Sequence, residues 1–225
     1  MCLSILTNGR RLSRIYFDMA NEITIEAGSR NAQGMRFQGH SAVEDKKQRI
    51  INTAKTVFLK YGYGRVTMND LAQAAGISRP ALYLVFSKKE DVFRAVVRQM
   101  AREVAGDVNE GLGAIKSPMD KLKFVCEVWM VRPFDWLSQS PEAREVFESS
   151  HDFAQEAVTE AMCLFEGDLK SVIDLFPKGA LAKGISHKRA AHLLAGAIAG
   201  IKKTSRNSSE LREKIHDLIT MVIRM

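Results

Sequence analysis

The 225-residue sequence has few cysteines and prolines and no long uninterrupted apolar run. Cys2, Cys126 and Cys163 are odd in number and far apart, so they match neither a disulfide framework nor a metal-ligand pattern. We expect inert thiols rather than a redox pair, and neither a metal nor another cofactor. The longest weakly polar run, residues 190–201, is far shorter than the roughly 20 apolar residues that span a bilayer. The sequence therefore predicts no membrane partner.

The amino-terminal stretch lacks the features of a secretory signal. Its apolar start, residues 1–6, is short and is followed by polar residues and by Arg10 and Arg11, which reverses the usual order. We therefore expect a cytoplasmic protein. Residues 1–43 show no sustained helical period and are interpreted as a flexible arm, within which Met19 and Met35 are alternative translation starts.

The sequence also lacks the common catalytic patterns. Its five histidines are scattered, and no glycine-rich phosphate loop occurs. No nucleophile is placed beside a base in a recognisable spacing. An enzyme is therefore the weaker hypothesis, and a binding protein is the stronger one.

Positive charge is concentrated in one part of the chain. Residues 44–105 have twelve Lys and Arg against six Asp and Glu, and so supply +6 of the formal net charge of +7. Residues 106–225 are nearly neutral. Such a local excess is typical of a surface that binds nucleic-acid phosphates. A solvated charged face is the alternative, and charge alone does not decide between them.

Apolar residues recur at helical spacing from residue 44 onwards. The first helix has its stripe at Ile50, Ala54 and Phe58 and ends at Gly62. No strand-like alternation or repeat interrupts the later helical patterns, so an all-α fold is predicted. We expect a DNA-binding domain over 44–92 and a helical ligand-sensing and dimerisation domain over 93–225. Within the second domain, helices are expected at about residues 119–137, 141–176, 187–204 and 210–223.

Residues 67–86 have the pattern of a helix-turn-helix. Two short helices that meet at a sharp turn need a small residue where they approach, which Ala72 supplies, and a residue tolerant of positive φ, which Gly76 supplies. Ser78 is placed to cap the helix after the turn, and Pro80 lies in its first turn, where a missing N–H costs little. The inward positions are filled by apolar residues: Leu71, Ala75, Ile77, Leu82 and Val85.

The outward face of this second helix is apolar and aromatic. With Leu82 facing inward, Pro80 and Leu84 point away from the core, and Ala81 and Tyr83 flank them. A major groove offers thymine methyl groups and phosphates to such side chains. Cover by another helix is the alternative explanation, which the basic surroundings make the weaker one.

Residues 46–93 resemble the DNA-binding domain of the TetR/AcrR family of bacterial regulators. The resemblance depends on a combined motif and covers about a fifth of the chain. Its residues are Thr67, Asp70, Leu71, Ala72, Ala75, Gly76, Ile77, Ser78, Leu82, Tyr83, Phe86, Lys89 and Glu90. Leu84 and Val85 depart from the polar or ring residues that many relatives carry there, which leaves the base preference open.

The resemblance implies a homodimer that places one recognition helix of each subunit in successive major grooves of a palindromic operator. Tyr83, Lys89 and the helix start at Thr67 would contact phosphates, and a helix N-terminus suits that role on its own chemistry. Arg79, at the head of the recognition helix, is the candidate for bidentate contact with a guanine. The full predicted DNA-binding set is Thr67, Ser78, Arg79, Pro80, Ala81, Tyr83, Leu84, Lys88 and Lys89.

Two carboxyl-terminal helices have the pattern of a dimer interface. One presents small residues on a single face, and the last helix has an apolar stripe. Two such helices from each subunit would form a four-helix bundle, whereas packing within one chain is the alternative. The predicted interface residues are Leu193, Gly196, Ala197, Gly200, Leu211, Ile215, Leu218 and Val222.

A candidate ligand site lies in the segment 124–136. Trp129 and Trp136 stand around Arg132, with Pro133 expected to interrupt the helix, and aromatic walls with one charge suit a small, largely apolar ligand. His151 is a further candidate. Packing in the core is the alternative role for these aromatic residues. The sequence thus favours a repressor that such a ligand releases from DNA, over a structural DNA-binding protein without a ligand.

Overall fold

The computed structural model of the chain describes residues 42–139, 142, 152–177 and 179–224. Every regular element within these ranges is helical, which confirms the all-α prediction. The helices are α1 (Ala42–Tyr61), α2 (Met68–Ala74), α3 (Arg79–Tyr83), α4 (Lys89–Leu112), α5 (Pro118–Cys126), a π-turn (Glu127–Val131), α6 (Arg132–Gln139), α7 (Gln155–Ile173), α8 (His187–Thr204) and α9 (Ser208–Val222). Among the described helices, none has both the length and the apolar character that crossing a membrane requires. The predicted arm lies outside the described residues, apart from 42 and 43, where α1 begins.

The chain divides into two compact units, one up to Val96 and one from Val97 onwards. In the first unit, α1, α2 and α3 pack around a small apolar core with the start of α4. The rings of Phe58 and Phe93 meet edge to face with their centroids 5.5 Å apart, and Tyr63 lies 4.9 Å from Phe93. Such aromatic contacts stabilise a small domain beyond the area that they bury.

The second unit has its own core, formed by the inward faces of α5, the π-turn, α7, α8, α9 and the later part of α4. The amphipathic spacing of these helices explains the arrangement, because each presents one apolar stripe to the others. Phe165, Leu194 and Ile219 lie at the centre of this core with exposures of 0, 1 and 0%. Within the described residues, the opposite face of α8 is exposed, and it carries the residues Leu193, Gly196, Ala197 and Gly200 that are predicted to form a dimer.

Pro133 does not interrupt its helix as the sequence suggested. The chain widens into the π-turn first, in which the Arg132 N–H donates to the Glu127 carbonyl, five residues back. Pro133 then falls in the first turn of α6, where a proline is tolerated. The extra residue of the π-turn shifts the register before the proline, so the helical path continues to Gln139.

The helix predicted over 141–176 is also shorter than expected. Residues 152–154 form a bend and turn, and α7 begins at Gln155. The predicted segment before residue 152, apart from residue 142, lies outside the described residues. Apolar spacing alone did not indicate this start, because the residues before α7 keep a helical period.

Candidate DNA-binding and ligand sites

The turn between α2 and α3 has the geometry that the sequence predicts. Gly76 adopts a φ of +64°, a conformation that side chains disfavour, and its N–H donates to the Gln73 carbonyl at 3.1 Å. The Ser78 hydroxyl caps α3 by accepting from the Ala81 N–H at 3.3 Å, and Pro80 lies in the first turn. Leu82 is fully buried and anchors α3 to the core of the unit.

The outer face of α3 is exposed in the way that DNA contact requires. Leu84 is 86% exposed and Tyr83 is 42% exposed. The Arg79 guanidinium lies 5.6 Å from the centre of the Tyr83 ring, so the ring supports the cation at the head of the helix. Pro80 is exposed and Ala81 is partly buried beside them. The face therefore combines one supported cation with apolar groups.

Thr67 caps α2 through a reciprocal pair of bonds with Asp70. The Asp70 N–H donates to the Thr67 hydroxyl at 3.2 Å, and the Thr67 N–H donates to the Asp70 carboxylate at 2.9 Å. The hydroxyl donates to the same carboxylate at 2.7 Å, and these bonds lower the pKa of Asp70. A phosphate at this helix start would compete with Asp70 for the Thr67 donors.

Lys89 is placed differently from the prediction. Its ammonium donates to the backbone carbonyls of Tyr63 and Val66, both at 2.9 Å, and lies 4.1 Å from the centre of the Tyr63 ring. These contacts fasten the turn between α1 and α2 to the start of α4. The predicted phosphate contact of the Lys89 side chain is therefore corrected to a structural role, whereas the adjacent Lys88 is exposed.

The predicted ligand residues do not converge on one described pocket. Trp129 is 9% exposed, and its indole N–H donates to the Asp168 carboxylate at 2.7 Å. The Arg132 guanidinium lies 5.7 Å from the centre of the Phe124 ring. Trp136 is partly buried, and His151 lies outside the described residues.

Two carboxylates in the second unit, those of Asp168 and Asp107, were not predicted as site residues from the sequence. Burial raises the pKa of Asp168, although its bond from Trp129 opposes the rise. Burial also raises the pKa of Asp107, which the nearby positive charge of Arg132 opposes. One carboxylate oxygen of Asp107 is buried without a hydrogen-bond partner. Both residues interrupt apolar helical stripes, and that interruption was the available signal.

The thiols of the described chain show no metal-ligand arrangement. Cys126 is buried, which raises its pKa to about 12, and Cys163 is exposed. Within the described ranges, no group of three or more His, Cys, Asp or Glu residues could hold a metal ion.

Part of the predicted dimer surface lies in the core. Leu211 and Ile215 are 0 and 1% exposed within the second unit, so they are corrected to core residues. The apolar stripe of α9 faces α8 and α5 at these positions. Leu193, by contrast, is 52% exposed, and Gly196, Ala197 and Gly200 are exposed along the same face of α8.

A groove of about 390 Å³ adjoins that exposed face of α8. It lies between α8, α9 and the loop before α8. The predicted interface residues Leu218 and Val222 are partly buried in its wall, beside Met221, which is 79% exposed. The other lining residues are Leu181, Ala182, Ile185, Ala190, Leu193, Leu194, Ala197 and Arg224.

The first unit's capped turn, glycine geometry and exposed recognition face define a helix-turn-helix DNA-binding protein. Residues 50–96 match the family model described as "Bacterial regulatory proteins, tetR family". The first unit is therefore similar to the DNA-binding domain of this family of transcriptional regulators.

Individual relatives extend the likeness beyond the first unit. The chain is 24% identical over 183 residues to the HTH-type transcriptional activator FasR of Mycolicibacterium smegmatis, covering 81% of this chain and 80% of FasR. It is 28% identical over 113 residues to the HTH-type transcriptional repressor Rv1474c of Mycobacterium tuberculosis, covering 49% of this chain and 55% of that one. These likenesses identify a DNA-binding regulator of transcription.

The fold of a solved regulator is also similar. FadR of Bacillus subtilis, solved in complex with stearoyl-CoA, superposes with a TM-score of 0.58 at 18% identity, covering 79% of this chain and 99% of FadR. At this identity the likeness concerns the fold.

Proposed function

We propose that this regulator is a homodimeric repressor that binds a palindromic operator through α3 and leaves it when a small, largely apolar ligand binds the second unit. The observation that carries the proposal is the outer face of α3, where Arg79, Tyr83 and Leu84 are exposed together. A solvent-facing helix gains nothing from such apolar exposure, whereas a major groove offers it partners.

The proposed contacts divide into two groups by their chemistry. Arg79, Pro80, Ala81 and Leu84 face the base edges, with Arg79 as the only cation among them. Thr67, Ser78, Tyr83 and Lys88 face the phosphates. Lys89 supports this face from behind by fixing the turn between α1 and α2. Phosphate contacts position the unit, and base contacts give the sequence preference.

The proposed dimer uses the exposed face of α8 and the groove beside α9. Leu193, Ala197 and Met221 expose apolar surface there, and the glycines at 196 and 200 allow another helix to approach closely. A second copy related by a two-fold axis would cover both the face and the groove. A dimer explains a two-fold operator, because it joins two half-site contacts in one particle.

The proposed effector is small and largely apolar. The ring centroids of Trp129 and Phe165 lie 5.8 Å apart, and Phe124 lies under Arg132, so both contacts offer apolar groups within the second unit. Fold similarity to a FadR that was solved with stearoyl-CoA supports an apolar class of ligand. Trp129 lies in the π-turn and Arg132 follows it directly, and π-turns are frequent at functional sites, which supports a ligand role for both residues.

Activation of transcription is the second candidate, and the name of FasR favours it. The two roles differ in where the operator lies. A repressor that blocks polymerase needs a site overlapping the promoter, whereas an activator needs one upstream. Transcription in vitro from a template with the selected operator at each position separates them.

Selection from random duplex DNA tests the DNA-binding proposal. The wild-type protein should enrich a two-fold symmetric site, and Arg79→Ala should lose preference at one base pair per half-site, by about 1–3 kcal/mol. An identical profile from the variant would remove Arg79 from the base contacts. Enrichment of no sequence at all by the wild type would contradict the function itself.

A further inference from the structure

Arg65 is an exposed cation in the turn between α1 and α2. The turn begins at Gly62, whose φ of +78° follows the end of α1, and it leads to Thr67, the cap of α2. Val66, the residue after Arg65, is 3% exposed and packs in the core of the first unit. Arg65 therefore projects from a short segment that is anchored beside it.

The backbone on both sides of Arg65 is fastened to the start of α4. The Lys89 ammonium donates to the carbonyls of Tyr63 and Val66, both at 2.9 Å. The Tyr63 ring also packs against that of Phe93, with centroids 4.9 Å apart. Because these contacts already restrict the turn, a partner of Arg65 has little backbone to order when it binds.

The Arg65 guanidinium has no carboxylate partner within the part of the chain that the structure describes. Carboxylates of the adjoining segments are engaged elsewhere: Asp70 accepts from Thr67 at 2.7 and 2.9 Å, and Asp91 pairs with Arg94. A guanidinium presents five N–H donors in a planar fork, which matches the oxygens of a phosphate. These donors are therefore available to an anion from outside the chain.

Two residues that we propose to face DNA phosphates adjoin this turn. Thr67 follows Arg65 by two residues, so their Cα atoms lie within about 7 Å of each other. Lys88 is exposed and directly precedes Lys89, the residue that bonds the turn on both sides of Arg65. An unpaired arginine next to an exposed lysine suits a polyanion such as the DNA backbone.

We propose that the Arg65 guanidinium binds a phosphate of the operator backbone, beside the major groove that receives α3. The inference rests on the proposed DNA-binding mode and adds a contact to it. The phosphate role predicted for Lys89 thus belongs to Arg65: the lysine holds the turn, and the arginine meets the DNA. Such a contact adds affinity and fixes register without sequence preference.

Removal of the Arg65 charge tests the inference on the full-length protein. Arg65→Gln keeps a polar side chain at this exposed position, and its binding to the selected operator and to a random duplex is measured by fluorescence anisotropy over a range of salt. The slope of log affinity against log salt should fall by roughly one for each subunit bound. Affinity for the two duplexes should fall by the same factor at a given salt. Arg65→Lys should restore the slope, because a point charge still releases a counterion.

Arg102→Gln is the matched control, because it removes the same charge from an exposed position of α4 in the second unit. It should leave the salt slope at the wild-type value. An equal reduction in Arg65→Gln and Arg102→Gln would reflect net charge alone and would overturn the inference.

A scan of the operator phosphates locates the contact. Methylphosphonate linkages, which are neutral, replace one phosphate at a time around the selected half-site. At the position that Arg65 contacts, the neutral linkage should weaken binding by wild type and leave binding by Arg65→Gln unchanged. Phosphates that other residues bind should give equal losses with both proteins.

Three further results would overturn the inference while leaving the proposed function intact. They are an unchanged salt slope in Arg65→Gln, equal losses by both proteins at every methylphosphonate position, and a changed base preference of Arg65→Gln without loss of affinity for random DNA. Wild-type protein that binds no DNA would instead contradict the proposed function, and the inference with it.

Discussion

At the scale of single residues, the recognition face depends on a contact between two exposed side chains. The Tyr83 ring lies under the Arg79 guanidinium, which limits the conformations that this arginine samples before it meets DNA. Contacts of this kind contribute about 0.5–1 kcal/mol at exposed sites. Tyr83 therefore has two separable roles, one through its ring and one through its hydroxyl.

Replacing Tyr83 in two ways separates these roles. Tyr83→Phe keeps the ring under Arg79 and removes only the hydroxyl, so operator and random DNA should lose affinity equally. Tyr83→Ala should in addition relax the base preference that Arg79 provides. Selection profiles and binding isotherms of both variants check this. If Tyr83→Phe and Tyr83→Ala give identical profiles, the ring does not position Arg79.

Adjacent lysines at the start of α4 offer a second comparison. Lys88→Ala should reduce the slope of log affinity against log salt by roughly one, because an exposed phosphate contact is lost. Lys89→Ala should instead lower the free energy of unfolding by about 1–3 kcal/mol, because its charge-assisted bonds are lost, and so lower the urea midpoint. Salt titrations and urea unfolding of both variants decide. A stable Lys89→Ala protein with a reduced salt slope would restore the phosphate contact to Lys89.

At the scale of elements, the start of α9 is held by a charge network on Glu210. Its carboxylate accepts from the Arg206 backbone N–H at 2.9 Å and from the Arg206 side chain at 3.0 Å, and it pairs with Lys214 at 2.9 Å. These contacts lower the pKa of Glu210 from about 4.5 to about 2. A carboxyl whose pKa is depressed on folding stabilises the protein above its unfolded pKa.

Glu210→Gln should therefore lower the urea midpoint at neutral pH by a small amount, because its partners Arg206 and Lys214 lie at the surface, where solvent screens the charges. The difference from wild type should shrink as the pH falls from about 4.5 towards about 2, where protonation ends the advantage. Glu213→Gln, at an exposed position of the same helix, is the control and should show a smaller difference. A constant deficit across this pH range would contradict the electrostatic role of Glu210.

The first unit could be predicted from local sequence because its elements depend on local chemistry. Ser78 caps α3, Gly76 takes positive φ and Leu82 faces inward, and each preference belongs to the residue itself. The π-turn before Pro133 could not be predicted this way. Its extra residue is a register shift within a continuous helical path, which a period of 3.6 residues does not reveal.

In the second unit, sequence pattern alone also could not assign the surfaces and the sites. An apolar stripe such as that of Leu211 and Ile215 looks the same whether it faces its own core or another subunit, so only the fold assigns it. Asp107 had a usable signal, a charge within the apolar stripe of Val104 and Val108. Lys89 had none, since its partners are backbone carbonyls that any sequence provides.

At the scale of the whole molecule, charge and apolar exposure are divided between the units. Residues 44–105 supply +6 of the formal net charge of +7, while the second unit exposes the small-residue face of α8 and the groove beside α9. A strongly basic unit binds any DNA, so preference for one long site requires two such units to act together. The proposed dimer is what would join them.

Gly200→Leu tests whether the exposed face of α8 joins two subunits. A Cβ built at Gly200 meets nothing within 4 Å, so one chain accommodates the larger side chain, whereas a helix of a second copy packed on α8 would be displaced. Such overpacking costs roughly 1–3 kcal/mol.

The control is Gly106→Leu on α4, another exposed helical glycine with nothing within 4 Å of its Cβ. In sedimentation equilibrium, Gly200→Leu should dissociate at concentrations where wild type and Gly106→Leu are dimers. Its affinity for a full palindrome should then fall far more than its affinity for a half-site, because the two contacts are no longer linked. If both variants sediment as wild-type dimers with equal operator affinity, the subunits meet elsewhere and the exposed face of α8 has another role.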